Sequence, residues 1–307
     1  MDWLLCIIIA VLANSAGIFV DNYISDYYFK GRGAASQKTF YRLIYIIFGI
    51  VCIIIGGINF SSVPPYMYLI FILSGIGTAI AGIFYYKALE LTDSTDYGIF
   101  AQLSPIFYLL FGWLFLNQTI DAYQLIAFLI IIIAPFLIIM TTKKRSRNLR
   151  IKAALYVILN ISIVALCSTI FVKYHTSELN FVTEIGFLLI GKGIGNTIII
   201  LSKPKWKKRY QFVVKSNKKR IYYPFLGTFA LSIINEFTKN LAFVLAPSVA
   251  LVSAINDSAR PIVIFFMGLV FTMLWPRFGR EKLKRRTILV HLIATILVVI
   301  GIYLIKS

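Results

Sequence analysis

The sequence predicts an all-α integral membrane protein of ten transmembrane helices, built as two inverted-topology five-helix repeats. Three observations predict this class. Of the 307 residues, 59% are hydrophobic and only 14% charged, with a mean hydropathy of +0.84; a soluble domain carries about 25% charged residues. The apolar runs are continuous and do not alternate, which argues against an outer-membrane barrel. Ten of the runs approach the roughly 20 residues that an α-helix needs to cross a bilayer.

In chain order the expected spans are residues 3–20, 40–58, 66–89, 97–116, 123–140, 151–172, 181–201, 222–245, 249–274 and 287–305. The first is not read as a cleaved leader, because no basic segment precedes it and its positive flank follows it. The charge of +19 would suggest nucleic acid in a soluble chain. Here its placement reads as topology. All of the 31 basic residues except Lys173, Lys192, Lys239, Arg260 and Lys306 fall in the loops after spans one, three, five, seven and nine, or at the helix ends beside them. The positive-inside rule then places those five loops in the cytoplasm and both termini outside. An inner (plasma) membrane is expected, with anionic lipid headgroups as contacts and no nucleic-acid partner. Cys6, Cys52 and Cys167 lie in apolar runs and form no disulfide framework. His175 and His291 stand alone, so no metal site or other cofactor is expected.

The basic linker 142–150 separates a first repeat, residues 1–141, from a second, residues 151–307. The fourth span of each half carries a proline after a polar stretch: Gln102-Leu103-Ser104-Pro105, then Asp257-Ser258-Ala259-Arg260-Pro261. An odd number of helices per repeat makes the second enter from the opposite side. The basic residues agree, since they follow the membrane side and not the repeat position. Inverted repeats are a common transporter plan, with the substrate site near the midplane where the halves meet.

With these features the chain resembles the ten-helix EamA-type members of the drug/metabolite transporter superfamily. In the first half the resemblance rests on Tyr85-Tyr86-Lys87-Ala88-Leu89, Gln102-Leu103-Ser104-Pro105-Ile106-Phe107, Gly112-Trp113-Leu114-Phe115-Leu116 and Arg42. In the second it rests on Asn240-Leu241-Ala242, Ala246-Pro247-Ser248, Pro261-Ile262-Val263 and Gly268. The chain departs from the family where a Gly-Glu pair usually follows the fourth helix, since Asn117-Gln118 stands there. The resemblance implies transport of a small metabolite or drug, and no enzymatic activity.

The candidate site comes from ionised groups within apolar runs, which are costly at bilayer depth and mark substrate or ion paths. Glu236, Lys239 and Asn240 share one face of the eighth span by their i, i+3, i+4 spacing. Asp257 and Arg260 lie one turn apart on the ninth, beside Asn256. Two accounts stay open: each acid neutralises its neighbouring base and locks the bundle, or the groups line a cavity and bind the charged ends of a polar metabolite. A buried ion pair contributes little net stability, which favours the second. Lys192, in Gly191-Lys192-Gly193-Ile194-Gly195, is either a cavity cation or a snorkelling side chain; no strand precedes it, so the glycines are not a phosphate loop and instead permit close helix packing or a local bend. Glu184 is expected at the outer interface. Asn14 and Gln102 are polar groups in first-half spans, and Tyr86 with Tyr85 is a candidate wall. Pro105 and Pro261 are expected to bend the fourth and ninth helices and to shape a gate.

The expected function is therefore a secondary transporter of a small polar metabolite, such as an amino acid or other zwitterion, working by alternating access. An exporter of drugs or hydrophobic cations is the alternative. It would need an acidic, aromatic cavity, against which Lys192, Lys239 and Arg260 count. A lipid-handling protein is a third reading. The sequence shows no nucleotide-binding motif and no clustered nucleophile.

Overall fold

The computed structural model describes residues 2–29, 34–58, 63–91, 100–101, 103–119, most of 121–130 and 147–274, with isolated positions between 289 and 304. The described part is helical throughout. Six helices are long and apolar enough to cross a membrane: Trp3–Asp21, Ala35–Gly56, Pro65–Ala88, Ile151–Tyr174, Phe181–Ser202 and Val249–Gly268. Side chains such as Ile54, Ile55, Leu73 and Leu201 point outward. A soluble surface would not tolerate so much exposed apolar area; lipid does.

Helix α1 (Trp3–Tyr23) starts where the Asp2 carboxylate accepts from the backbone N–H of Leu4 at 3.2 Å. Helix α2 (Lys38–Gly56) ends at Gly57, whose φ of +77° takes the chain out of the helix, a conformation glycine adopts without strain. Helices α3 (Pro65–Leu91) and α4 (Ser104–Leu116) follow, and the described positions within 122–130 are helical as well. The second half runs through α5 (Arg147–Tyr174), α6 (Phe181–Ser202), α7 (Pro204–Asn217), α8 (Tyr222–Leu245) and α9 (Val249–Leu274). Residues 131–146 and 275–288, and with them most of the fifth span, the start of the linker and the loop after α9, lie outside the described residues, as does most of the tenth span.

Four sequence expectations change. The linker 142–150 is helical from Arg147 onward, as the first turn of α5. The basic loop after α6 is itself a helix, α7. Its Trp206, Tyr210, Val213 and Val214 recur at helical spacing and turn inward, while Lys205, Lys207, Lys208 and Lys215 stay exposed. Pro105 does not bend a helix interior: it lies in the first turn of α4, where a missing N–H costs nothing. Pro261 does lie inside a helix, and α9 is continuous through it. Finally α8, although 24 residues long, is not among the six apolar helices, because Asn235, Glu236, Lys239 and Asn240 lower its hydropathy.

The two halves interlock. Helix α1 packs on α8 and α9; α2 packs on α6; α3 packs on both α5 and α6; α4 packs on α5 and α9. Glycines set the closest approaches. A Cβ at Gly191 would fall on the backbone carbonyl of Ile72, and one at Gly75 on that of Leu188, so α3 and α6 touch backbone to backbone. Small residues give membrane helices the close packing that the hydrophobic effect cannot supply in lipid. The glycine run around Lys192 therefore packs α6 and leaves it unbroken. Helices α2 and α8 instead meet through rings, with centroids 5.3 Å apart for Tyr45–Phe229 and 5.1 Å for Phe40–Phe225.

At one end of the bundle, Thr183 of α6 donates to the Gly57 carbonyl at 2.7 Å. At the other end α7 docks. Arg209 donates to the Phe29 carbonyl at 3.3 Å, and Val213 packs with Ile24, Phe29, Ile221 and Phe225. Burial against this cluster pushes the Tyr210 phenol up to about 12, so it stays neutral.

Candidate functional site

A cavity of about 230 Å³ lies where the halves meet. Four polar stripes at helical spacing line it: Asn14, Gly17 and Asp21 from α1; Asn160, Ile161 and Val164 from α5; Thr228, Ser232, Asn235 and Lys239 from α8; Asp257 and Arg260 from α9. Tyr85 of α3 and Ser104 of α4 close the wall. Each stripe exists because one face of a helix must be apolar toward its neighbours while the next face need not be. The cavity runs from Lys239 and Arg260 toward Asp21, Tyr85 and Thr228, at the end of the bundle that carries α7.

The α9 pair forms as the spacing implies. Arg260 Nη2 donates to Asp257 Oδ1 at 2.6 Å, and the two side chains are 13% and 5% exposed. Asp257 also accepts from Ser253 Oγ at 2.9 Å and Asn256 Nδ2 at 2.8 Å. With its amide oxygen turned to the guanidinium, Asn14 of α1 accepts from Arg260 Nη2 and Nε at 3.0 and 3.2 Å. Arg260 is thus held between a first-half amide and a second-half carboxylate. Ser104 and Ser253 meet at 3.4 Å and join α4 to α9 just behind.

The α8 pair does not form. Glu236 reaches across to Lys192 of α6, and Asn240 Nδ2 donates to the same carboxylate at 3.1 Å. This pair lies outside the cavity lining. Lys192 is accordingly neither snorkelling nor a cavity cation; it neutralises Glu236. Lys239, freed from Glu236, donates to the Tyr108 hydroxyl at 3.3 Å and lies 5.5 and 5.3 Å from the ring centres of Tyr108 and Phe243. Such rings favour a cation on their faces. Of the sequence candidates, then, Asn14, Lys239, Asp257 and Arg260 converge on the cavity. Asn256 braces Asp257 and Asn240 braces Glu236. Tyr86 lies behind Tyr85 and accepts from Gln37 Nε2 at 2.5 Å. Gln102 lies outside the described residues.

Two further expectations are corrected. Glu184 is not interfacial but fully buried, and His175 is not alone: its Nδ1 lies 2.7 Å from Glu184 Oε2. Sequence reasoning also missed Asp21, Asn160, Thr228, Ser232 and Asn235. The signal for the last three was the recurrence 228, 232, 235, 239 on one face of α8. Asp21 was missed because it ends an apolar run and reads as a boundary.

Residues 2–140 match the model of the EamA-like transporter family. That match covers a little less than half of the chain, and this first part is similar to the EamA-like transporters. With its six helices long and apolar enough to cross a membrane, the chain is an integral membrane protein. Its fold resembles a protein solved by crystallography, with a TM-score of 0.63 at 16% identity over 96% of this chain and 95% of that one. That likeness concerns the fold alone. Among curated proteins no match to the chain was found.

Proposed function

We propose that the protein is a secondary transporter that moves a small polar solute bearing both charges, such as an amino acid or other zwitterion, by alternating access between two inverted five-helix repeats. The observation that carries the reading is the Asn14–Arg260–Asp257 cluster. It lies beside Lys239 on a cavity lined by both halves. A carboxylate can take the place of Asp257 on the guanidinium fork, whose planar geometry suits it.

The packing supports the inverted repeat, with residues 1–141 and 151–307 as its units. Exchanging α1 with α5, α2 with α6, α3 with α8 and α4 with α9 carries the α1–α8 contact onto α5–α3 and the α1–α9 contact onto α5–α4. It returns α2–α6 and α4–α9 to themselves. Helix α7 is the insertion between the second and third elements of the second repeat. In this reading the basic end of the bundle is cytoplasmic, both termini are outside, and the cavity faces inward.

The test is uptake into proteoliposomes. Arg260→Gln and Lys239→Gln are expected to reduce uptake of the transported zwitterion at least about 100-fold, because each removes a desolvated charge from the site, while the proteins stay folded. Normal rates in both would make the cluster structural. A single cysteine at Ser216 of α7, in a background without Cys6, Cys52 and Cys167, should be labelled only from the cytoplasmic side. Labelling from outside intact cells would invert the assigned orientation.

A further inference from the structure

Two charged groups of the cavity form no ion pair among the described residues. Among the described residues, no carboxylate lies within ion-pair distance of Lys239, and no basic group within that distance of Asp21. Among the described residues the Asp21 carboxylate accepts from Gln37 Nε2, at 3.4 Å. The two lie at opposite ends. Asn14, which holds Arg260, and Asp21 are seven residues apart on α1, so their levels differ by roughly 10 Å at 1.5 Å per residue. The antiparallel neighbour α8 gives the same order: Gly17 faces Leu231, Thr228 lies toward Asp21, and Lys239 lies beyond in the other direction. Between the poles the wall mixes apolar side chains, Ile18, Ile161, Val164 and Leu231, with the polar Ser232 and Asn235 of α8.

We propose that this two-poled cavity selects solutes whose cationic and anionic groups are held apart by a spacer of several atoms, an ω-amino acid or a dipeptide in preference to a free α-amino acid. The inference rests on the transport reading above and names its substrate class. The ligand's carboxylate sits on Arg260 and Lys239, and its ammonium sits on Asp21. Allowing a charge-assisted contact of about 2.8 Å at each pole leaves roughly 5–7 Å between the ligand's charges. An extended dipeptide spans about that distance, at roughly 3.5 Å per residue. An α-amino acid carries both charges on one carbon and answers one pole only. The other pole then stays desolvated and unpaired, which is the costly arrangement for a buried charge. The wall between the poles, part apolar and part amide and hydroxyl, suits a methylene or peptide spacer.

The experiment is binding to the purified full-length protein by calorimetry, with one homologous series: glycine, 4-aminobutanoate, 5-aminopentanoate and 6-aminohexanoate, plus alanine, alanylalanine and the uncharged-end analogue hexanoate. Affinity is expected to rise by at least about tenfold from glycine to the five- or six-carbon members. Asp21→Asn is expected to abolish that rise, while hexanoate, which offers Asp21 no ammonium, should bind at least as tightly as it does to the unchanged protein. If Asp21→Asn does not fold, Asp21→Glu carries the test, since its carboxylate reaches one methylene further and should move the optimum to a spacer one carbon shorter. Glycine or alanine binding as tightly as the long members, or a length dependence that survives Asp21→Asn, overturns the proposal and leaves the transport reading standing. If no zwitterion in the series binds at all, both fall together.

Discussion

At the scale of single residues, two acids are answered from elsewhere in the chain: Glu236 by Lys192 across the helix interface, and Glu184 by His175 just after α5. A charge in an apolar run stands out wherever it lies, so Lys239, Asp257 and Arg260 were legible. Its partner was legible only when both sat on one helix, as Asp257 and Arg260 do. The spacing of Glu236 and Lys239 met the same geometric condition, yet Lys192, 44 residues earlier, won the carboxylate. One-dimensional spacing carries no knowledge of the helix across the interface. The Glu184–His175 pair was hidden for the same reason. It gives a stability prediction. Glu184 is fully buried and accepts from His175 at 2.7 Å and from the Thr176 N–H at 3.4 Å. His175→Ala leaves that carboxylate nearly unanswered and should cost about 1–3 kcal/mol, seen as a lower unfolding midpoint in detergent. Removing both groups with His175→Ala and Glu184→Leu together should recover much of the loss. An unchanged midpoint in the single variant would show that the pair does no structural work.

At the scale of elements, apolar length was a good guide and amphipathic pattern was underused. The six long apolar helices fall close to their expected bounds. Helix α7 was read as a loop because its mean character is basic, although Trp206, Tyr210 and Val213 already carried a helical period. Pro105 was read as a kink because the apolar run extends before it; the structure begins α4 there, with the proline in the turn that tolerates it. Of the two roles the sequence leaves open for the glycines of α6, packing or a bend, the structure shows packing, and this can be measured. A Cβ at Gly191 meets the backbone of Ile72, which has no room to give, whereas one at Gly227 of α8 meets nothing within 4 Å. Gly191→Ala should therefore destabilise by about 1–3 kcal/mol or block folding. Gly227→Ala should stabilise by about 0.4–1 kcal/mol, through a less flexible unfolded chain. Thermal denaturation of the two variants side by side decides it, and equal tolerance would mean that α3 and α6 do not touch as described.

At the scale of the whole molecule, the repeat exchange proposed above fails at one contact. Helices α3 and α6 meet through glycines, backbone to backbone, while their counterparts α8 and α2 are separated by aromatic rings. A two-state transporter built from equivalent halves needs one such inequality, because swapping which interface is tight converts one state into the other. Spin labels at the outward-facing positions Leu73 and Ile198 should then move apart when a transported substrate is added, while labels at Ile47 and Ile234 should approach. Both distances moving in the same sense, or neither moving, would count against rocking of the halves. The interlocked packing has a further consequence, in the order of events during synthesis. Helix α1 finds its described neighbours among α8 and α9, and α2 finds its chief neighbour in α6. When the first half has left the ribosome, the surfaces that these helices bury do not yet exist. The early helices must wait in lipid or beside the insertion machinery, and the core closes only after residues beyond 249 arrive, so a chain truncated before α9 is a client for quality control and not a half-working transporter.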